Sequence, residues 1–109
     1  MGNLQVEEDW IIGLILYGGN ARSLAMQAID QAADGHYKDS DQLMNQANEA
    51  ISKAHEYQHF LTQQSIAEPE LSSPLLLMHG QDHLMSAITV IDLAERMILL
   101  YQRLEKGGI

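Results

Sequence analysis

Pro74-Leu75-Leu76-Leu77-Met78-His79-Gly80-Gln81-Asp82-His83-Leu84-Met85-Ser86-Ala87-Ile88-Thr89-Val90-Ile91, continuing to about Leu104, is the stretch that decides the fold. It shows no period-two alternation, and its apolar residues recur at helical spacing, which predicts one long helix. Ser73 followed by Pro74 reads as a cap and a first-turn proline, and the helix should end before Gly107 and Gly108. On a helical wheel of about 100° per residue, Leu84, Ile88, Ile91 and Ile98 fall on one side. Val90, Leu93, Met97 and Leu100 fall nearly opposite, with Asp92, Arg96 and Arg103 in a stripe between. A helix that is apolar on two sides needs two partners. In a three-helix chain the second side would lie bare, and a bare apolar face of that size marks an interface. His79, Asp82, Ser86 and Thr89 share that second side. The expectation is a homo-oligomer with this stripe at its centre.

Two further helices precede it. Trp10, Leu14, Tyr17, Ala21, Leu24 and Ala28 alternate by four and three, predicting a helix from about Val6 to Asp34 with those residues as its apolar seam. Glu7, Glu8 and Asp9 suit the positive end of its dipole. The pair Gly18-Gly19 reads as a kink or a close helix contact, with a gap for an approaching phosphate as the sharper alternative. Gly35 is placed to terminate the helix. Leu43, Ala47, Ala50, Ala54, Tyr57 and Leu61 repeat the spacing in a second helix from about Ser40 to Gln64, and Glu68 to Ser73, with Pro69, reads as a loop. The fold class is therefore all-α, an antiparallel three-helix bundle, and the length of 109 residues suits a single domain over 1–109.

Composition narrows the function. Apolar residues make up 46% of the chain, enough for a core. No cysteine is present, so disulfides, thiolate metal sites and a cysteine nucleophile are absent. A formal charge of −9 repels nucleic acid and anionic membranes and steers partners with a basic face. The start of the chain lacks the pattern of a signal peptide and no apolar run is long enough to span a bilayer, which makes a cytoplasmic protein the expectation.

His79, Asp82 and His83 carry the chemistry. At spacings of three and four they lie on or near one side of a helix. A neutral imidazole is a good nucleophile toward phosphorus, and Gly80 beside His79 removes bulk. The alternative for His79 is a satisfied core histidine. Asp82 needs partners if buried. Copies meeting on a symmetry axis would require a divalent cation or proton sharing, whereas in a monomer Asp82 would pair with a nearby histidine. His79-x-x-Asp82-His83 also resembles the inverted zinc-protease pattern, with Asp in place of Glu, and the pair His55 and His59 has metal-ligand spacing. A zinc-dependent hydrolase and a non-catalytic helical interaction module thus stand as alternatives. His55 and His59 read as a half-solvated face. The methionines, including Met26, Met44, Met78, Met85 and Met97, read as adaptable core filling.

Taken together, these pieces resemble the lactose/cellobiose-type enzyme IIA component of the phosphoenolpyruvate-dependent sugar phosphotransferase system. Leu76 through Met85 is similar to that family's active-site stretch, and Gly19-Asn20-Ala21-Arg22-Ser23-Leu24-Ala25-Met26 to its first-helix signature. Ala54-His55 with Gln58, Leu43-Met44 and Leu100-Tyr101 also fit, so the likeness spans nearly the whole chain. Gly80 stands where many relatives carry Ala, and His59 where Thr is usual. The resemblance implies a homotrimer of nine helices and a phosphoryl group carried covalently on His79. It implies the histidine-containing phosphocarrier protein as donor and a cysteine of the cognate IIB component as acceptor. It further implies that Asp82 from three subunits surrounds one divalent cation, commonly Mg. His83 is then an orienting or packing residue.

Overall fold

The computed structural model describes residues 2–67 and 74–107, and all of its regular structure is helical. Helix α1 spans Gly2–Ala33, α2 spans Tyr37–Ala67 and α3 spans Pro74–Glu105. The expected loop Glu68 to Ser73 and the cap at Ser73 lie outside the described residues. Helix α1 begins earlier than its acidic cluster implies, so no acid falls in its first turn. Its C-terminus follows the expectation. Gly35 takes φ +82°, its N–H donates to Ala32 O at 3.0 Å, and the His36 N–H donates to Gln31 O at 2.8 Å. That pair of bonds closes the helix through a left-handed residue, a conformation that favours glycine.

Helix α2 starts at Tyr37, three residues before the expected Ser40. Ser40 lies inside the helix and fully buried, where its hydroxyl donates to Ala28 O of α1 at 2.8 Å. A serine that looked like a helix start is instead an interhelical tie.

The core is built from small residues. Ala21, Ala25, Ala28 and Ala32 of α1 meet Ala47 and Ala50 of α2, and Ala87 and Ala94 of α3 complete the larger cluster with Ile29, Met44, Ile91 and Ile98. A second cluster of Ile11, Leu14, Ala54, Leu61 and Leu84 fills the other end. Leu14, Ala21 and Ala28 of the expected α1 seam are fully buried, but the seam is centred slightly to one side of the expected one. Ile11, Gly18 and Ala25 are buried, whereas Trp10, Tyr17 and Leu24 are only half-buried. Val90, expected on the outer side of α3, is half-buried against the larger cluster.

Glycines set how closely the helices approach. A Cβ on Gly18 would stand 3.3 Å from the His83 carbonyl group, and one on Gly80 would stand 3.0 Å from Leu14 Cδ2. These two meetings run in the same order along both helices, so α1 and α3 are parallel and α2 runs against them. Helix α1 continues through Gly18-Gly19 without a break, and of the two only Gly18 makes a close helix contact. At Gly13 a Cβ would reach 2.8 Å from the Tyr57 ring, which lies stacked on Tyr17 at 5.7 Å between centroids.

The outcome is a rod of 59 × 20 × 17 Å. Its radius of gyration is 17.0 Å, against about 13 Å for a compact globule of this length. Small residues inside leave large ones outside. Leu75 is 80% exposed, Leu16 65%, Met78 62% and Met85 58%. Met26 and Met97 are exposed as well, which corrects the expectation that the methionines fill the core; only Met44 of those named is buried. A bound on the packing follows. Gly18→Val should lose about 1–3 kcal/mol of stability, because the opposing atoms are backbone and cannot turn aside. Gly19→Ala, with nothing within 4 Å of its added carbon, should gain about 0.5–1 kcal/mol from helix propensity. Urea unfolding of both variants checks this, and equal effects at the two positions would refute the close-approach reading.

Candidate functional site

Helix α3 carries the candidate residues on its first turns beyond Pro74. Its buried seam is Gly80, Leu84, Ala87, Ile91, Ala94 and Ile98, a four-three repeat that faces α1 and α2. That seam fixes the rotation of the helix, and with it the direction of every other side chain. Asp82, Ser86, Thr89, Leu93 and Leu100 are directed outward and exposed. His79 lies one residue before the seam begins and is exposed, and His83 is half-buried.

The two imidazoles meet. Their ring centroids are 4.7 Å apart at 87°, an edge-to-face contact. Four-residue spacing on a helix brings side chains together in this way, and the close approach of Gly18 to the His83 backbone holds that part of α3 firmly against α1. His83 is thus half-buried with its backbone against α1 and its ring against His79, which is itself exposed.

Asp82 behaves differently from either alternative foreseen for a single chain. It is neither buried nor paired with a histidine; its carboxylate is exposed and, among the described residues, has no hydrogen bond or ion pair within the chain. Among the described residues no group of three His, Cys, Asp or Glu side chains is placed to hold a metal ion. His79, Asp82 and His83 thus do not form a single-chain metal site, which removes the geometric basis of the zinc-hydrolase alternative. His55 and His59 are both exposed on α2.

Two features escaped the sequence reading. Gln58 of α2 donates its amide N–H to Gln81 Oε1 of α3 at 2.9 Å, two residues beyond His79. His55 Nδ1 lies 3.4 Å from Gln58 Oε1. No periodicity marks such a pair, since each residue reads alone as a polar flank. The Gly18 contact was legible only as one of several uses of a glycine pair.

Comparison with known proteins agrees with this geometry. The sequence profile of the family described as "PTS system, Lactose/Cellobiose specific IIA subunit" matches residues 9–102. The chain is 42% identical over 97 residues to the lichenan-specific phosphotransferase enzyme IIA component of Bacillus subtilis, covering 89% of this chain and 88% of the relative. Its fold is similar to the crystal structure of the cellobiose-specific enzyme IIA from Bacillus anthracis, with a TM-score of 0.87, 44% identity and 94% of each chain covered. It is also similar to the IIA(chitobiose) structure solved as a complex with HPr in the N,N′-diacetylchitobiose branch of the Escherichia coli phosphotransferase system, with a TM-score of 0.73, 31% identity, and 91% of this chain and 96% of that one covered. This chain belongs to the lactose/cellobiose-specific IIA family of the sugar phosphotransferase system. Among the described residues, no helix is long and apolar enough to cross a membrane.

Membership sharpens the meaning of Gly80. An alanine there adds a carbon 3.0 Å from the free end of Leu14, an atom that moves by a small side-chain rotation. The gain of about 1 kcal/mol in helix propensity should offset that shift, so Gly80→Ala should change stability by less than about 1 kcal/mol. Gly80→Leu, which cannot be absorbed in the same way, should cost about 1–3 kcal/mol. Thermal unfolding of the two variants checks the contrast; a strongly destabilised alanine variant would contradict it.

Proposed function

We propose that this chain is a phosphoryl carrier that accepts phosphate on His79 from the histidine-containing phosphocarrier protein and passes it to a cysteine of the cognate IIB component. The observation that carries the reading is the exposed His79 ring, seated against His83 on a helix whose rotation is fixed by its own buried seam. The E. coli relative solved with HPr supports the donor assignment. Coupled uptake and phosphorylation of a β-linked disaccharide or oligosaccharide is the process served, and the cytoplasm is where donor and acceptor would meet this single-domain chain.

The chemistry is a pair of in-line displacements. A ring nitrogen of neutral His79 attacks the phosphorus of the donor's phosphohistidine. A new N–P bond forms as the old one breaks, and the donor imidazole leaves with the electron pair. In the second step a cysteine thiolate attacks the same phosphorus and His79 leaves. Catalysis here is positioning and electrostatics more than covalent assistance. The second ring nitrogen of His79 keeps its proton throughout, which fixes the tautomer. Leu75 and Met78, both strongly exposed beside His79, supply an apolar rim that a docked partner can close over to exclude water.

The assembly we propose is a homotrimer, nine helices in all. Leu93, Met97 and Leu100 form an exposed apolar row on α3, and Ile12, Leu16 and Met26 form another on α1. A threefold ring uses two unlike faces on each subunit, and this chain has two. On the axis, three Asp82 carboxylates would hold one divalent cation, with Mg the natural choice for hard oxygen ligands. That ion, when bound, supplies charge that offsets the mutual repulsion of the carboxylates.

Incubation with phosphoenolpyruvate, enzyme I and the phosphocarrier tests the carrier. An acid-labile, base-stable phosphate should appear on the chain and be absent from His79→Ala at unchanged helicity. Phosphate retained by that variant would overturn the assignment. Asp82→Leu should keep the fold and lower the dissociation constant of the trimer at least about tenfold, since replacing buried charge by apolar contact commonly stabilises by about 1–4 kcal/mol. Concentration-dependent light scattering reads this, and a monomeric variant would count against the axial placement of Asp82.

A further inference from the structure

We infer that Gln58 and Gln81 form an amide clasp that positions the His79-bearing turn of α3 against α2, and that both are positioning residues for the reaction at His79. The effect on transfer rests on the reading of His79 given above; the clasp itself does not.

The argument starts from how thinly that turn is held. Leu75 and Met78 are 80% and 62% exposed, and His79 is exposed. Among the residues of α3 described from Leu75 onward, the first buried one is Gly80. Apolar packing therefore secures the helix from Gly80 onward and leaves the turn before it with only the half-buried Leu76 and Leu77. Helix α2 touches α3 less than α1 touches either. Among the described residues side-chain hydrogen bonds join α2 to α3 at two places, one of them around Tyr37, which also bonds the Glu105 side chain. There Tyr37 Oη donates to Tyr101 O at 3.3 Å, at the far end of the rod. The other is Gln58 Nε2 to Gln81 Oε1 at 2.9 Å, half-buried beside the turn in question.

The bond is short and has defined polarity. With its N–H donated to Gln81, the Gln58 carbonyl oxygen is left facing His55 Nδ1 at 3.4 Å, a long contact that asks for a proton on Nδ1. Thus His55 and Gln58, already paired in the second-helix pattern, and Gln81 of α3 form one run of polar contacts. Elements with few buried contacts open locally at low cost, so a single hydrogen bond at the edge of the core shifts the population of the correctly placed turn. Phosphoryl transfer depends on that placement, because small displacements of a nucleophile are felt strongly in rate.

The test is a mutant cycle of Gln58→Leu, Gln81→Leu and the double variant, with Gln58→Glu as the conservative partner, each in the full chain. The leucine changes keep volume and remove the bond. In Gln58→Glu the Gln81 amide can turn and donate to the carboxylate. The first readout is backbone hydrogen exchange. Amides between about Leu76 and Leu84 should exchange about three- to tenfold faster in each leucine variant, the size of one net hydrogen bond. The double variant should be no faster than the singles, and Gln58→Glu should stay within about twofold of the parent, because a charge-assisted bond replaces the neutral one. The second readout is phosphoryl uptake from the phosphocarrier. The maximal rate should fall by a similar factor with KM unchanged, and recover in Gln58→Glu. Unchanged exchange, additive effects, or acceleration spread evenly over all three helices would overturn the clasp. Altered exchange with an unaltered uptake rate would overturn its positioning role. If the parent chain took up no phosphate, the functional reading would fail while the exchange data still decided the clasp.

Discussion

Close approach of helices through alanine and glycine is the constraint on which the rest of this structure depends. A buried alanine contributes about one methyl group of apolar area, roughly a third to a half of what a leucine contributes. Lining the interior with Ala21, Ala25, Ala28, Ala47, Ala50, Ala54, Ala87 and Ala94 therefore yields a thin rod with a modest core. The large apolar residues go outside, where Leu16, Leu75, Met78, Leu93 and Leu100 meet solvent in a single chain. The thin core and the exposed apolar rows thus follow from one choice of residue size.

The same constraint builds the site. Gly18 lets α1 touch the backbone at His83, and Gly80 lets α3 close over Leu14. Those contacts fix α3 from Gly80 onward, and His79 stands just before them at the edge of the core, exposed and with its ring against His83. Asp82, three residues on, is directed to the outer stripe. The imidazole is accessible and the carboxylate is exposed on the outer face of the same helix.

Much of this was legible in the sequence. The four-three spacing revealed all three helices, and the left-handed glycine at position 35 ended α1 where expected. The rotation of α1 was not legible in the same way. Trp10, Tyr17 and Leu24 are bulkier than Ile11, Gly18 and Ala25, yet the smaller set is buried, as close approach of the helices requires. The methionines misled for the same reason. At the site, spacing alone brought His79, Asp82 and His83 to one region but left zinc chemistry open; family resemblance singled out His79, and the geometry showed that no single-chain metal cluster is formed among the described residues. The Gln58–Gln81 pair could not be read from pattern at all, since it depends on which flanks of two helices happen to meet.

The most direct measurement is the mass of the unmodified chain in solution by sedimentation equilibrium. A protomer weighs 12.2 kDa. If the outer rows exist to be covered by copies of themselves, the chain should sediment at about three times that mass. A chain that stays at one protomer mass up to high concentration, with its large apolar residues bare to water, would contradict the account.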